Sequence, residues 1–317
     1  MIKNKIIIGS RGSKLAILYA EKAKETILDN NVDLNKDSID IKIIKTTADI
    51  HYSESLSEIG GKRLFSKQIE EELLNKQIDI AVHALKDLPS EETRGLETKI
   101  FLKRNDPRDV FISLKYKSVT DLKPNSIIGT SSFRRAAQLN VLRKDLNINL
   151  IRGNIDTRIN RLEKENFDAI ILSYAGMKTL GLEKKVSQIF SIEEMLPCVG
   201  QGVIVLQTRK NDQNIINLIH KINDPNTLSC VIAERTMLKI IKGDCNTAVG
   251  GLATINNNLI TLKSELFSID GKQKFSSKIS GKVDEAEKIG IKVGTELIAQ
   301  AAILIKTNKI FDAYYYN

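Results

Sequence analysis

Short apolar runs alternate with helical patterns through the first two-thirds of the chain, and this alternation constrains the fold more than any other feature. Runs such as Ile6–Ile8 and Ala169–Leu172 have the length of buried strands, whereas Leu15, Tyr19 and Ile27 fall on one face of a helix. Parallel strands need a crossover connection, which is usually a helix. The alternation therefore predicts an α/β protein with mainly parallel sheets.

The pattern changes in the last third of the chain. Residues 253–280 are typical of antiparallel strands with a hairpin turn at Asp270-Gly271, and a long helix is predicted from Asp284 to Ile305. Residues 224–317 are therefore expected to form a separate small α+β domain. The stretch Asn105–Arg108, centred on Asp-Pro, indicates a hinge between two α/β lobes, and the sequence shows no internal repeat.

Composition excludes several classes of protein. The net charge is +9, but tryptophan is absent and aromatic residues make up 5%, which disfavours a base-stacking nucleic-acid surface. No apolar run reaches the length of about 18 residues that a membrane span requires. The N-terminal run is typical of a first strand rather than a signal peptide, so we expect a cytoplasmic protein. The three cysteines and three histidines are scattered, so we expect neither disulfides nor a metal site.

Polar side chains follow several predicted strands. In an open α/β sheet, ligands bind at the carboxyl ends of strands, and an arginine fork suits a carboxylate. In any single loop of this kind, polar side chains are explained by contact with solvent or by capping of the next helix, without a ligand. Several such loops with basic residues on one predicted edge together favour a ligand with several carboxylates, bracketed by two lobes. The side chains concerned are Arg11, Ser13, Lys86, Asp87, Thr130, Ser131, Ser132, Arg134, Arg135, Arg152 and Arg158.

Several strings occur together in a specific order along the chain. The ordered set resembles the porphobilinogen deaminase (hydroxymethylbilane synthase) family, from about residue 6 to residue 250. The strings are GSRGSKLA at 9–16, GGKRLF at 60–65, AVHALKDLP at 81–89, NDPRD at 105–109, GTSSFRR at 129–135, RGNIDTR at 152–158, LPCVGQG at 196–202 and GDC at 243–245.

The resemblance implies three domains. Two resemble the lobes of periplasmic binding proteins, and the third carries a cofactor cysteine. Applied to this chain, it implies one α/β lobe from 1–104 with 203–220, a second from 105–202, and the C-terminal domain from 224–317.

The resemblance also implies an activity. Four porphobilinogen molecules are condensed head to tail, with release of ammonia, onto a dipyrromethane primer, and water then releases the linear tetrapyrrole hydroxymethylbilane. The primer is joined by a thioether to the position of Cys245, and Asp87 occupies the position of the catalytic carboxylate. A non-catalytic two-lobed anion-binding protein is the alternative, and a nucleic-acid-binding protein is suggested by charge alone. We expect a monomer that binds neither nucleic acid nor membrane.

Site roles follow from the matched positions. Contacts to cofactor carboxylates are implied for Lys86, Asp87, Thr130, Ser131, Ser132, Arg134 and Arg135. Substrate binding is implied for Arg11, Ser13, Arg152 and Arg158, and loop contacts for Lys62 and Phe65. The other two cysteines, Cys198 and Cys230, are expected to be small structural side chains.

The chain departs from the family pattern at several positions. Thr179 replaces a substrate-binding arginine, and neighbouring Lys178 could replace its charge but not its fork. Tyr19 replaces a glutamine of the first helix, Asp244 a glycine before the cofactor cysteine, and Ala248 a proline after it. These departures bear on the strength of substrate binding more than on the reaction class.

Overall fold

The structure is a computed structural model that describes residues 5–46, 65–244, 247–268 and 270–306. It divides into two compact units. The first contains residues 1–105 and 203–228, and the second contains residues 106–202 and 229–317. The chain therefore changes unit three times: at Asn105/Asp106, inside the predicted hinge, at Gly202/Val203 and at Leu228/Ser229. The finer division into three domains stays a prediction.

Strands and α-helices alternate along part of the chain. The strands are β1 (Ile6–Arg11), β2 (Ile39–Ile44), β3 (Ile80–Ala84), β4 (Leu96–Phe101), β5 (Asp109–Ile112), β6 (Ile127–Gly129), β7 (Asn147–Asn149), β8 (Ala169–Ser173), β9 (Gln188–Ile189), β10 (Ile204–Arg209), β11 (Val249–Asn256), β12 (Leu259–Phe267) and β13 (Lys274–Lys282). The helices are α1 (Lys14–Asp29), α2 (Lys67–Leu74), α3 (Phe133–Leu142), α4 (Ile155–Lys164), α5 (Tyr174–Thr179), α6 (Gln213–His220), α7 (Pro225–Ile240) and α8 (Ala286–Lys306). The alternation runs from β1 to β3 and from β6 to β9, as the apolar periodicity predicts, whereas β3 to β6 follow one another without an intervening α-helix.

The first unit contains a five-stranded sheet in the order β2-β1-β3-β10-β4. Strands β1, β2 and β3 pair in parallel, but β10 pairs antiparallel with both β3 and β4. Helix α1 begins after Ser13, whose hydroxyl accepts a hydrogen bond from the backbone N–H of Ala16. Its residues Tyr19, Ala23 and Ile27 recur at helical spacing and pack into the core over the sheet.

The second unit contains a five-stranded sheet in the order β7-β6-β8-β5-β9. Strands β6, β7 and β8 pair in parallel, whereas β5 pairs antiparallel with β8 and β9. The prediction of α/β lobes is confirmed, but the prediction of mainly parallel sheets is wrong. Each sheet has two parallel and two antiparallel pairs, because the strand that follows a change of unit runs against its neighbours.

The two five-stranded sheets have the same topology: β7, β6, β8, β5 and β9 occupy the places that β2, β1, β3, β10 and β4 have in the first sheet. An aspartate occupies the equivalent position in each sheet. Asp79 precedes β3; its carboxylate accepts a hydrogen bond from Ile7 N–H, and its own N–H donates to Ile7 C=O. Asp168 precedes β8 and makes the same two contacts with Ile127. The two sheets therefore form a structural repeat, although the sequence shows no repeat.

The second unit also contains the C-terminal three-stranded sheet, in the order β11-β12-β13 and fully antiparallel. Side chains of α7, β12 and α8 form its core, including Met237, Leu262 and Val293. A β-carbon on Gly290 would lie 2.5 Å from the backbone oxygen of Ala233, so glycine is required for the close approach of α7 and α8. The predicted α+β domain is confirmed in its elements. Within the described part of the chain, no helix is long and apolar enough to cross a membrane.

Candidate functional site

In the first unit, a basic side chain lies at the carboxyl end of the first strand. Arg11 is the last residue of β1, and Ser13 caps the helix that follows. The guanidinium carbon of Arg11 lies 4.7 Å from the centre of the Phe65 ring, which is a cation–π distance. The structure thus joins two predicted site residues, Arg11 and Phe65, that are far apart in sequence. Predicted residue Lys62 lies outside the described residues.

Lys86 and Asp87 lie together in a short turn directly after β3. The flanking residues Leu85 and Leu88 are buried, and Leu85 N–H donates a 3.0 Å hydrogen bond to Val203 C=O. Lys86 and Asp87 themselves are half-buried. The buried leucines fix this turn at both ends, so the carboxylate of Asp87 is presented from a rigid support at the strand end.

His83 lies near this turn, inside β3. It is buried, and burial lowers its pKa to about 4; the Gln207 side chain opposes the shift, and the Arg11 guanidinium adds to it. The unfolded chain takes up a proton near the ordinary pKa of 6.5, whereas the folded chain resists protonation until about pH 4.

We expect the free energy of unfolding to fall as the pH drops through this interval, by at most about 1.4 kcal/mol per pH unit. Chemical denaturation of the protein and of His83→Gln between pH 7 and pH 4 measures this slope. His220→Gln, which changes an exposed histidine at the end of α6, is the control and should keep the slope. An unchanged slope in His83→Gln would contradict the assignment.

In the second unit, residues 130–132 form the turn between β6 and α3. Thr130 N–H donates to Asn149 C=O, and the Thr130 hydroxyl accepts from Ser132 N–H at 3.1 Å. The Ser132 hydroxyl accepts from Arg135 N–H at 3.4 Å and caps α3. The hydroxyl groups of Thr130 and Ser132 therefore accept hydrogen bonds that stabilise the turn itself. Ser131 and Ser132 are half-buried.

Arg134 and Arg135, in the first turn of α3, are buried and both pair with Asp109. Arg134 Nη1 lies 2.7 Å from Asp109 Oδ2, and Arg135 donates to Asp109 Oδ1 from Nη2 at 2.7 Å and from Nε at 3.0 Å. Burial alone would raise the pKa of Asp109, but the two guanidinium groups outweigh it and hold the pKa at about 2. The Arg134–Arg135 pair therefore lies inside an ion-pair network rather than on the surface.

Arg152 and Arg158 lie beyond β7, at the edge where β6 also ends. Arg158 is in the first turn of α4, and its Nε donates a 2.8 Å hydrogen bond to Gly153 C=O. Gly153 has a φ of +106°, and a β-carbon there would lie 2.7 Å from Thr157 Cγ2. Arg152 is half-buried next to this glycine. The basic residues predicted for the second unit thus all follow strand ends.

Cys245 lies outside the described residues, but both flanks of its loop are described. Asp244 N–H donates to the Thr247 hydroxyl at 3.0 Å, and Thr247 N–H donates to Asp244 C=O at 3.1 Å. Ala248 packs with Phe133 and Ala137 of α3 and with Phe267. The described flanks of this loop are therefore both anchored, Asp244 through Thr247 and Ala248 through the contact with α3.

The departures from the family pattern have clear structural positions. Tyr19 is buried in the core of the first unit. The Thr179 hydroxyl donates to Ala175 C=O within its own helix, and Lys178 is exposed. Asp244 is engaged with Thr247, as described above. Ala248 is buried in the α3 contact, where its small side chain allows close packing.

Sequence reasoning missed two residues of the buried ion-pair network, Asp109 and Gln201. Gln201 Nε2 donates to Asp109 Oδ1 at 3.0 Å and to Pro107 C=O at 2.6 Å. Both residues belong to sequence strings that match the family, NDPRD at 105–109 and LPCVGQG at 196–202, but no role was assigned to them. Asp109 is the first residue of the otherwise apolar strand β5, and this position could have indicated a buried ion pair. A buried carboxylate needs cationic partners.

Two family models match the chain. The model for the dipyrromethane cofactor binding domain of porphobilinogen deaminase matches residues 6–217, and the model for the C-terminal domain of porphobilinogen deaminase matches residues 228–299. The chain belongs to the porphobilinogen deaminase family. The resemblance seen in the sequence is therefore confirmed.

Known relatives support the same assignment. The porphobilinogen deaminase of Syntrophomonas wolfei is 41% identical over 304 residues, which cover 95% of this chain and 98% of that protein. The porphobilinogen deaminase of Francisella tularensis subsp. novicida is 40% identical over 300 residues, which cover 95% and 98%. Among solved structures, the methionine binding protein MetQ matches with a TM-score of 0.43 and 13% identity, over 71% of this chain and 90% of that chain.

Family membership decides between the two functions that the sequence left open. As a porphobilinogen deaminase, the chain is a transferase of tetrapyrrole synthesis, a hydroxymethylbilane synthase, rather than a non-catalytic anion-binding protein. Its cofactor is dipyrromethane, because the matching model of residues 6–217 describes the domain that binds this group.

Proposed function

We propose that this chain condenses four porphobilinogen molecules head to tail, releases ammonia at each addition, and frees the linear tetrapyrrole hydroxymethylbilane by hydrolysis. The observation that carries the proposal is the match of residues 6–217 to the cofactor-binding domain, with the site strings intact within it. The acidic group at the β3 end and the basic groups at the β6 and β7 ends supply the chemistry that such a reaction requires.

The buried arginines of the second unit fit a carboxylate-bearing cofactor. Arg134 Nε is buried and has no hydrogen-bond acceptor among the described residues. A buried donor without an acceptor is costly, and a carboxylate supplies the missing partner. We assign the cofactor carboxylates to this arginine and its neighbours in the α3 turn, together with the β3 turn; the full set is Lys86, Thr130, Ser131, Ser132, Arg134 and Arg135. When bound, dipyrromethane supplies the primer to which pyrroles are added.

Asp87 is the proposed catalytic group. Loss of ammonia and attack by a pyrrole α-carbon place positive charge on pyrrole nitrogens, and a proton must leave afterwards. A fixed carboxylate that accepts hydrogen bonds from these N–H groups stabilises the charge and can carry the proton. Asp87 is held in a rigid turn between two buried leucines, and this placement suits both tasks.

Acetate and propionate groups of the substrate need cationic partners. We assign them to Arg11 and Ser13, at and just beyond the end of β1, and to Arg152 and Arg158 after β7. Phe65 stacks on the Arg11 guanidinium and limits its rotation, and Lys62 is assigned a contact from the same loop. Each arginine offers two parallel donors, a geometry that matches a carboxylate.

Cys245 is the proposed attachment site of the cofactor. A thiolate is a strong soft nucleophile and forms a thioether with an electrophilic pyrrole methylene group. The other cysteines have different surroundings: Cys230 is buried in the core of the C-terminal sheet, and Cys198 lies beside Arg134. The described residues on either side of position 245 are polar, and Asp244 and Thr247 bond to each other there. We also propose that the protein acts as a cytoplasmic monomer and binds neither nucleic acid nor membrane.

Incubation of the purified protein with porphobilinogen tests the proposed function. We expect four equivalents of ammonia for each linear tetrapyrrole, measured by an ammonia assay and by the absorbance of the cyclised, oxidised product. Binding of porphobilinogen without ammonia release would instead favour the non-catalytic anion-binding protein.

The Thr179 departure gives a second expectation. The Thr179 hydroxyl bonds within its own helix, to Ala175 C=O at 2.9 Å, and Thr179→Arg restores a bidentate donor beside Lys178. We expect the KM for porphobilinogen to fall several-fold with little change in kcat. Thr179→Lys, which adds charge without a fork, is the matched control. An equal decrease in KM for both variants would show that charge alone is involved.

A further inference from the structure

Two guanidinium groups share a single carboxylate inside the second unit. Asp109 is fully buried, and Arg134 and Arg135 are 3% and 6% exposed. A buried carboxylate is stable only when it is paired, and here it has two cationic partners within 2.7 Å. The three groups together keep one positive charge, which favours an anionic ligand.

The two arginines use their donors differently. All three nitrogens of Arg135 donate within the protein: Nε and Nη2 to Asp109, and Nη1 to Ile171 C=O at 3.0 Å. Arg134 donates from Nη1 to Asp109 and, at 2.8 Å, to Leu196 C=O, while its buried Nε has no acceptor among the described residues. Of these two arginines, only Arg134 therefore keeps a buried nitrogen, Nε, without an acceptor among the described residues, although its guanidinium also lies beside the Cys198 side chain.

The surroundings of this triad restrict its movement. Gln201 is 1% exposed and donates both to Asp109 Oδ1 and to Pro107 C=O. Leu196, which accepts from Arg134, is itself held by Gln138 through hydrogen bonds to its N–H at 2.6 Å and its C=O at 3.0 Å. With both acceptors of Nη1 fixed, the Arg134 guanidinium has one orientation.

We propose that Asp109 is a positioning residue that orients Arg134 toward a carboxylate of the bound cofactor, and that Arg135 serves Asp109 rather than the ligand. The inference rests on the proposed function and refines it, because the family resemblance assigned the two arginines the same role. Asp109 does not itself touch the ligand; it acts through Arg134.

The test compares Asp109→Asn with Asp168→Asn. Asp168 is a matched control because its carboxylate also holds a strand of the second unit, through Ile127 N–H. Intact-mass spectrometry gives the fraction of protein that carries the dipyrromethane adduct after reconstitution with porphobilinogen, and thermal melting reports stability. For Asp109→Asn we expect a loaded fraction at least five-fold below that of the wild type. For Asp168→Asn we expect a lower melting temperature with a normal loaded fraction.

A double-mutant cycle shows whether Asp109 acts through Arg134. Arg134→Gln should lower loading by itself, and adding Asp109→Asn should then change it by less than two-fold. Independent, multiplicative losses would overturn the proposal, as would normal loading of a folded Asp109→Asn protein. If Asp109→Asn does not fold, Gln201→Met is the alternative variant. It removes the hydrogen bond from Gln201 to the Asp109 carboxylate without changing the net charge. A folded Gln201→Met protein should load two- to five-fold less, and normal loading would count against the proposal.

Wild-type turnover separates this inference from the proposed function. Absence of ammonia release by the wild-type protein would contradict the function. With an active wild type, only the ratio of variant to wild-type loading bears on Asp109.

Discussion

Replacement of Asp87 by alanine is expected to lower kcat by a factor of about 10² to 10³ or more, as does removal of a single preorganised electrostatic group in other enzymes. The carboxylate is proposed to stabilise positive charge that exists only during the reaction, so its loss should affect kcat far more than KM. The turn that carries it is fixed by buried Leu85 and Leu88 and should keep its conformation.

The measurement is steady-state ammonia release, normalised to the fraction of protein that carries the cofactor. Glu91→Ala is the matched control, because Glu91 is an exposed acid a few residues away and should leave kcat unchanged. Asp87→Asn separates charge from shape: if it retained wild-type kcat, the proposed electrostatic role of the carboxylate would be wrong.

Cys245→Ser is expected to abolish turnover, because a serine hydroxyl is a far weaker nucleophile than a thiolate and should not form the link to the primer. Intact-mass spectrometry should show a two-pyrrole adduct on the wild-type protein and none on the variant. The effect differs from that of Asp87→Ala, which should still load the cofactor.

Cys230→Ala is the control for this experiment. Cys230 is buried in the core of the C-terminal sheet, and a small apolar replacement should preserve both the adduct and turnover. Peptide mapping of the wild-type adduct locates the linkage. An adduct at Cys198 instead of Cys245 would contradict the assignment and would place the primer beside Arg134.

Local periodicity predicted most of the strands and helices, although β4, β5 and β9 were not predicted. The apolar spacing of Tyr19, Ala23 and Ile27 predicts the buried face of α1, and the structure shows that face in the core. The predicted placement of basic residues at strand ends also agrees with the structure, since Arg11 ends β1 and Lys86 and Arg152 come shortly after β3 and β7. These features depend on neighbours in sequence, which a pattern can reveal.

Strand direction and ion pairing could not be predicted in the same way. Strand β10 pairs antiparallel with β3 and β4, which lie more than 100 residues earlier, and no local pattern encodes that pairing. The partner of Arg134 and Arg135 is 25 or more residues away, so a pair of basic residues in a helix looked like a ligand site alone. The equivalence of Asp79 and Asp168 likewise appears only when strands are compared in space.

The position of β10 in the first sheet has a consequence for biosynthesis. Strands β3 and β4 are not neighbours, because β10 lies between them and pairs with both. A nascent chain that has emerged only as far as Asn105 therefore carries β4 without a partner. The ribosome must also translate every strand of the second five-stranded sheet before Ile204–Arg209 can enter the gap. The first sheet begins to form first but is completed only after all strands of the second five-stranded sheet have been translated, so truncation before Arg209 should leave an unpaired, aggregation-prone strand edge.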